Sequence, residues 1–390
     1  MTDTADVIVI GAGVQGASLA FHLASRGTSV IVVEKATVAA GATGRSSGLV
    51  RVYYDLLAEA RLAWESHGWF ADWDARVGGD CGFTRSGFLW VEPAERRERL
   101  AANAASHRAL GVDNSVLDAD GIRALFPALE VAAGEVAAYE PASGYADPFM
   151  TAAGFLAAAR QRGARLVPGA EVTAIRTAGG RVTGVDTNRG AVDAPVVVNA
   201  AGAWAGRVGA LAGLDLPIQV WRHDTGYLGL PETVARPIPV VIDNANSMYF
   251  RPEGSDMILV GLEDDNQIGG SPDRDTGDVR ADFHERAAER IIRRVPGLID
   301  GTFRTSHSGQ DGLTGPDQRP MLGPAGPDGF YLDCGHSGTG FKTAPAVGLA
   351  MSELILDGAA SSVDISPFTP DRFATGRLLE GEHGGAPIWR

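Results

Sequence analysis

The sequence predicts an α/β protein in which a Rossmann-like dinucleotide-binding domain, built from three separated segments, receives an inserted α+β domain. Three observations lead there. A βαβ unit with a glycine fingerprint opens the chain. The α/β character returns around residues 147–200, after a more polar stretch. A glycine-rich segment followed by an apolar helix closes the core after residue 306. At 390 residues the chain also exceeds what one hydrophobic core usually organises, so two domains are expected.

The elements can be taken in order. Val7–Ile10, VIVI, is a short apolar run and reads as a buried parallel strand. GAGVQG follows, then ASLAFHLASRG, with small or apolar residues at the helical positions 17, 20, 23 and 24. Gly27 sits where a helix C-terminus takes a left-handed residue. SVIVVEK is the next strand, so residues 6–35 form one βαβ unit. Residues 81–140 are more polar, and PAERRERLAANAASHRALG reads as an exposed helix. Helix FMTAAGFLAAARQRG then leads to strand ARLVPGAEVTAIRT, hairpin AGGRVTGVDTNRGAVDA and the apolar PVVVNAAGAWAG. Residues 217–305 are strand-rich, with proline breaks and the acidic loop EDDNQIGGSPDRDTGD. The glycine-rich stretch from 306 ends in helix AVGLAMSELILDG, and the tail after about 370 has little pattern.

Composition excludes several classes of function. Hydrophobic residues make up 45% of the chain and charged residues 21%, a globular balance. The net charge of -14 repels phosphate backbones and anionic lipid, so neither nucleic acid nor a membrane surface is an expected partner. Cys81 and Cys334 are far apart and in no CxxC pattern, which fits a reduced cytoplasm. The opening MTDTADVIVIGAG has no basic leader or long apolar run, and a cytoplasmic location is expected. The eight histidines show no HxxxH or HExxH spacing, so no metal site is expected.

Gly11, Gly13 and Gly16 form GxGxxG between a strand and a helix, the context in which that pattern binds a dinucleotide. The first glycine permits the tight turn, the second lets backbone approach a pyrophosphate, and the third lets helix pack on strand. The pyrophosphate then meets free N–H groups and the positive end of the helix dipole. Glu34 ends the second strand, where its carboxylate can accept ribose hydroxyls and repel a 2′-phosphate. FAD or NAD is therefore expected rather than NADP. Lys35 follows Glu34 at the same site, where it reads either as a cofactor neighbour or as an exposed strand-end charge. Residues 39–54, AAGATGRSSGLVRVYY, are small and hydroxyl-bearing, which suits a chain passing closely along an extended ligand.

With these pieces in view, the sequence resembles the FAD-dependent amine oxidoreductases of the D-amino-acid oxidase superfamily, in the sarcosine oxidase and dimethylglycine dehydrogenase branch. The resemblance rests on VIVIGAGVQGASLAFHLASRG, GATGRSSGLVR, VVVNAAGAWA and GHSGTGFKTAPAVG, in that order. It implies an FAD-binding domain of the glutathione-reductase type and an inserted antiparallel-sheet substrate domain. The expected boundaries are 1–80, 145–216 and 306–370 for FAD, 81–144 and 217–305 for substrate, and 371–390 as a tail.

The resemblance also implies roles for particular residues. Gly11, Gly13, Gly16 and Glu34 match the ADP-binding positions. Thr43, Gly44, Arg45, Ser46, Ser47 and Arg51 lie on the loop that approaches the pyrophosphate and flavin. Val172 matches a backbone contact to adenine. Ala201, Gly202 and Trp204 match a second crossing near the cofactor, and Gly338, Gly340, Phe341 and Lys342 the segment beside the flavin ring. Tyr249 matches a substrate-facing tyrosine, and His307, Gln310 and Asp311 a loop that meets the flavin. Stretches that carry covalent flavin links in relatives, here SGQDGLTGPD and GATGRSSG, contain no cysteine and no histidine respectively. FAD is therefore expected to be noncovalent, and Cys334, in apolar FYLDC, is read as a strand end rather than a flavin link. A second carboxylate-gripping residue of the family falls near Tyr54, an oxygen-activating lysine near Leu259, and a pocket histidine near Glu263. Glu263 is thus a candidate for meeting a cationic substrate, and oxidase against dehydrogenase stays open.

Lys342 is notable on its own terms. Of 34 Lys and Arg residues only Lys35 and Lys342 are lysine, and Lys342 lies among glycines. It is expected just before the last core helix, with Pro345 near that helix's first turn. A helix N-terminus offers roughly 0.3–2 kcal/mol to a nearby anion. An ammonium about 4 Å away offers about 4 kcal/mol at an effective dielectric of 20. The lysine is therefore expected to stabilise charge on the reduced flavin, and by resemblance to pair with a substrate carboxylate. Catalytic roles are expected for Lys342, Tyr249 and Arg51, and substrate contacts for Tyr54, Tyr249, Glu263, His336 and Lys342.

The expected activity is oxidation of a secondary or N-methyl amino acid by hydride transfer to flavin N5, followed by imine hydrolysis, with oxygen or another acceptor reoxidising the flavin. Oxidation of a 2-hydroxy acid or polyol, a flavin subunit that needs a partner chain, and an NAD dehydrogenase are the alternatives.

Overall fold

The computed structural model describes residues 3–264, 266–273 and 277–383. VIVI forms the strand Val7–Ile10, and its alternation sorts two cores. Val7 and Val9 join one cluster, Ile8 and Ile10 another, because successive strand side chains leave opposite faces. The strand lies inside a six-stranded sheet ordered Met321–Pro324, Phe330–Cys334, Val196–Asn199, Val7–Ile10, Val30–Glu34, Arg165–Pro168. Neighbours are parallel except Met321–Pro324, which runs antiparallel to Phe330–Cys334. Helices Val14–Ser25, Pro148–Gln161 and Gly340–Asp357 cover the valine face. A ribbon of Val172–Ala178, Arg181–Thr187 and Gly190–Asp193 covers the isoleucine face. Both faces are buried, as a parallel sheet requires.

A nine-stranded sheet forms the second layer. Its main path runs Gln267–Ile268, Ile218–Gly229, Met257–Leu262, Met248–Glu253, Val240–Asp243, Phe88–Glu92, Val136–Glu140, Ser115–Asp118, and Phe303–Thr314 pairs with Ile218–Gly229. Its strands alternate too. Leu89, Val91, Val241, Phe250 and Val260 pack beneath helix Phe283–Arg294. Phe88, Trp90, Ile242, Tyr249 and Leu259 form the other face, the one turned to the functional site.

Several elements differ from the sequence expectation. ARLVPGAEVTAIRT is two strands in two sheets, Arg165–Pro168 and Val172–Ala178, because Gly169 turns the chain at φ 66°. His307, Gln310 and Asp311 stand on the long strand Phe303–Thr314 rather than in a loop; the pairing with Ile218–Gly229 extends from Phe303 to Thr314, across residue 306. PAERRERLAANAASHRALG contains the helix Arg97–Ala109, which buries Leu100, Asn103, Ala104 and His107 and is exposed only on its other side. Lys342 lies inside the last core helix, which begins at Gly340, and not before it. The tail carries the short helix Asp371–Thr375, and buried Arg372 bonds both carboxylate oxygens of Asp317 at 2.7 and 3.0 Å. Residues 384–390 of the expected tail lie outside the described residues. Among the described residues, no helix is long and apolar enough to cross a membrane.

Candidate active site

The site begins at the turn after Val7–Ile10. Gly11 has φ 109°, and a Cβ there would lie 2.5 Å from the Ala200 oxygen. A Cβ on Gly16 would lie 2.1 Å from the Gly11 oxygen. These two positions exclude side chains for reasons of fold. Gly13 is the N-cap of the first helix, and Thr43 Oγ1 accepts from the Val14 N–H at 3.0 Å. The Glu34 carboxylate accepts from the backbone N–H groups of Ala12 and Ala36, both at 2.8 Å. It thereby ties the glycine turn to the second strand, and a carboxylate still has acceptor capacity left for a ribose hydroxyl.

A cavity of about 530 Å³ opens from this turn and reaches the large sheet. Gly11, Gly13, Glu34, Lys35 and Val172 line it around the glycine turn, with Ala201, Gly202 and Trp204 lining it too. Thr43, Arg45, Ser46 and Ser47 line it along the loop, and His336, Gly338, Gly340 and Phe341 from the C-terminal side. Arg51, Tyr249 and Lys342 line it as well. Gly16, Gly44, Tyr54 and Glu263 do not line it. Gly44 shapes the loop instead: its N–H bonds the Ala39 oxygen, from which a Cβ would stand 2.5 Å away.

Lys35 is engaged rather than free. Its ammonium lies 3.6 Å from the Trp204 ring centroid and 3.3 Å from an Asp273 oxygen. Asp273 also accepts from Arg207 and from the Trp204 indole at 2.7 Å. The Arg207 guanidinium, then the indole N–H, hold the Asp273 carboxyl well below the usual carboxylate range. This aspartate comes from the acidic loop next to the large sheet, so the loop is latched to Lys35, Trp204 and Arg207 beside the cavity.

Arg51 and Lys342 both face the Tyr54 ring, at 4.4 and 5.9 Å from its centroid. Arg51 is 1% exposed and donates through Nη1 to the Tyr53 oxygen, while its Nε and Nη2 have no hydrogen-bond partner. Lys342 is 5% exposed and donates to the Gly338 oxygen at 3.2 Å. Burial pushes the Tyr249 hydroxyl up to about 12, so it is a proton donor near neutrality, and it lies 3.3 Å from Thr225 Oγ1. Burial, then the nearby Asp243, pushes the half-buried Glu263 carboxyl well above its ordinary range, although Arg51 opposes this. Cys334 ends its strand buried in the core, and burial pushes its thiol up.

Two groups at this site escaped sequence reasoning. His223 lies 3.6 Å from Asp311, both line the cavity, and burial lowers the histidine's pKa below its ordinary value, against the pull of Asp311 and Asp224. Burial thus holds the imidazole toward its neutral form, with a carboxylate nearby. The strand signal around WRHDTG was visible; its pairing with Phe303–Thr314, which brings Asp311 near, was not. The other group surrounds His336. Its Nε2 lies 3.0 Å from Asp333 Oδ1 and its Nδ1 3.4 Å from Gln15 Nε2, which also donates to the Gly340 oxygen. That arrangement assigns the proton to Nε2. It leaves two buried acceptors without partners, Gln15 Oε1 and Asp333 Oδ2. Both residues line the cavity.

These features fit FAD. A glycine turn at a helix N-terminus suits the pyrophosphate, the Glu34 carboxylate suits a ribose, and the buried acceptors on Gln15 and Asp333 suit a hydroxyl-bearing chain. Fold and cavity define a dinucleotide-binding protein whose second sheet closes one end of the ligand site. Residues 6–354 match the family described as FAD dependent oxidoreductase, DAO, and the chain belongs to that family, whose cofactor is FAD. It is 30% identical over 380 residues to sarcosine dehydrogenase of Homo sapiens, covering 92% of this chain and 40% of that protein. It is 26% identical to sarcosine oxidase subunit beta of Rhodobacter capsulatus, covering 96% of this chain and 90% of that one. The fold superposes on L-proline dehydrogenase from P. horikoshii with a TM-score of 0.89 at 26% identity, over 97% of this chain and all of the other. The chain spans less than half the length of the first of these relatives.

Proposed function

We propose that the protein oxidises a secondary or N-methyl amino acid, sarcosine-like or cyclic, to an imine that water then hydrolyses. The observation that carries this is the buried pair of cations, Arg51 and Lys342, which line the cavity and share the Tyr54 ring. A buried guanidinium with two unpartnered nitrogens calls for an anion, and an amino-acid carboxylate supplies one. The names of the similar proteins, sarcosine dehydrogenase and L-proline dehydrogenase, support a secondary amine beside it.

Each residue then has a task. Arg51 and Lys342 hold the carboxylate and orient the amine-bearing carbon. Neutral His223, oriented by Asp311, accepts the proton of the bound ammonium and frees the nitrogen lone pair. The protonated Tyr249 hydroxyl donates a hydrogen bond into the pocket. Bound FAD supplies the oxidising chemistry by accepting the hydride from the substrate C–H. Lys342, in the first turn of its helix, adds a cation where negative charge accumulates. Gly11, Gly13, Thr43, Glu34 and the loop to Ser47 hold the cofactor noncovalently, with Val172, Ala201 and Trp204 along its nucleotide half. On this reading residues 1–80, 145–216 and 306–370 bind FAD, and 81–144 and 217–305 cover the substrate, with Phe303–Thr314 shared between them. Two buried free thiols support a cytoplasmic setting. A partner subunit is a second reading, supported by the likeness to a sarcosine oxidase subunit along 90% of its length.

The test is an anaerobic visible spectrum of the holoprotein before and after addition of sarcosine, N-methyl amino acids, proline-like amines and 2-hydroxy acids. Bleaching by an amine is expected. Bleaching by a hydroxy acid alone overturns the substrate class, and the absence of a flavin band after reconstitution with FAD overturns the whole reading.

A further inference from the structure

Gly261 interrupts the apolar strand MILVGL in the middle of the large sheet. Glycine weakens a strand interior, so its presence there needs a cause. The backbone supplies none: Gly261 is not among the residues with positive φ, and its conformation accepts alanine. What opposes a side chain is one neighbour. A Cβ on Gly261 would lie 2.1 Å from Tyr249 Cζ, 2.3 Å from its hydroxyl and 2.5 Å from Cε1.

The register explains this contact. Gly261 pairs with Tyr249 on one side and with Thr225 on the other. The three positions therefore share one sheet face, the face that carries Phe88, Trp90 and Ile242. Tyr249 lays its ring flat across Gly261 and reaches Thr225 Oγ1 on the far strand at 3.3 Å. Tyr249 and Ile242 both line the cavity.

We propose that Gly261 is a positioning residue that sets how large a substrate the cavity accepts, by letting Tyr249 lie flat on the sheet. A methyl group at 261 lifts the ring off the sheet and into the cavity, separates its hydroxyl from Thr225, and narrows the pocket that Arg51 and Lys342 also line. The three nearest atoms such a methyl group would meet all belong to the Tyr249 side chain rather than to backbone, so the variant is expected to fold. This inference rests on the reading of the cavity as an amino-acid site.

The experiment titrates Gly261→Ala holoprotein with acetate, butanoate and benzoate, following the visible spectrum of the bound flavin. Acetate is expected to bind within a factor of about two of wild type, and benzoate about tenfold or more weakly, the scale of discrimination a hydrophobic pocket reaches. Flavin content is expected to be unchanged and thermal stability to fall only modestly, by the cost of moving one side chain and losing its hydroxyl contact. In a Tyr249→Ala background the same glycine substitution is expected to leave the benzoate-to-acetate ratio unaltered, because the ring it displaces is gone. An unchanged ratio in the single variant, or an equal change in both backgrounds, overturns the proposal. If no acid perturbs the wild-type flavin, the amino-acid reading falls, and a crystal structure of Gly261→Ala decides the present one: an unmoved Tyr249 ring overturns it.

Discussion

A lysine and an arginine on one wall make demands that differ at the level of single atoms. Arg51 is wrapped by aromatic rings, with Trp90 and Phe88 at 5.2 and 5.6 Å besides Tyr54, and its planar fork suits a carboxylate. Lys342 is a compact charge on a flexible stem in a helical first turn. Lys342→Met is expected to slow flavin reduction by about tenfold or more, the effect of losing about 1.4 kcal/mol of transition-state stabilisation, with FAD still bound. Stopped-flow reduction at saturating substrate checks this, and unchanged rates remove the lysine from the chemistry. Histidines elsewhere set an acid limit. Burial lowers His22 and His107 to about 4, against partial opposition from the backbone carbonyls of Pro345 and Tyr54. Below their ordinary value of about 6.5, the unfolded chain binds protons that the folded protein refuses. Stability from each is therefore complete above that value and is lost as pH falls toward 4, by up to about 3 kcal/mol per residue. Glu263 and Glu140, held above the ordinary carboxylate range by burial, act with the opposite slope. The comparison with His22→Leu isolates the histidine: urea midpoints at pH 7 and pH 5, at fixed FAD, are expected to differ less in the variant than in wild type.

At the scale of elements, legibility followed sequence distance. The βαβ unit and Glu34 were readable because turn, helix and strand lie within thirty-odd consecutive residues and each glycine's task is local. The start of the last core helix was not. Pro345 signals a first turn, yet the helix begins at Gly340 and contains it. Side chains from two other helices make that possible. Ser66 Oγ donates to the Thr343 oxygen and accepts from the Ala346 N–H, both at 3.0 Å, and Ser18 Oγ donates to the Ala344 oxygen at 2.7 Å. These bonds satisfy backbone groups around a residue that has no N–H of its own. Nothing near Pro345 in sequence announces Ser18 or Ser66. The approach of His223 to Asp311 was hidden in the same way, since strand register across 87 intervening positions (311 − 223 − 1) leaves no local period.

Over the whole molecule, the cavity exists because two sheets meet, and one contact fastens them at the nucleotide end. Asp273 draws Lys35, Trp204 and Arg207 together. Asp273→Asn is expected to speed FAD release several-fold, and raised ionic strength to speed release in wild type more than in the variant, because the latch is an exposed ion cluster that salt screens. Recovery of flavin fluorescence after dilution measures both; equal rates in variant and wild type refute the latch. The parallel sheet joins segments from distant parts of the sequence. Its third segment, Phe330–Cys334, pairs with Val196–Asn199 beside the opening strand, and the helix carrying Lys342 follows at once. Gly11 and Lys342 line one cavity although 331 positions separate them (342 − 11). On a translating ribosome the glycine turn emerges 331 residues ahead of Lys342 (342 − 11) and waits for its opposite wall. Cofactor capture is therefore a late event in biogenesis, a seal placed on a chain already folded around it.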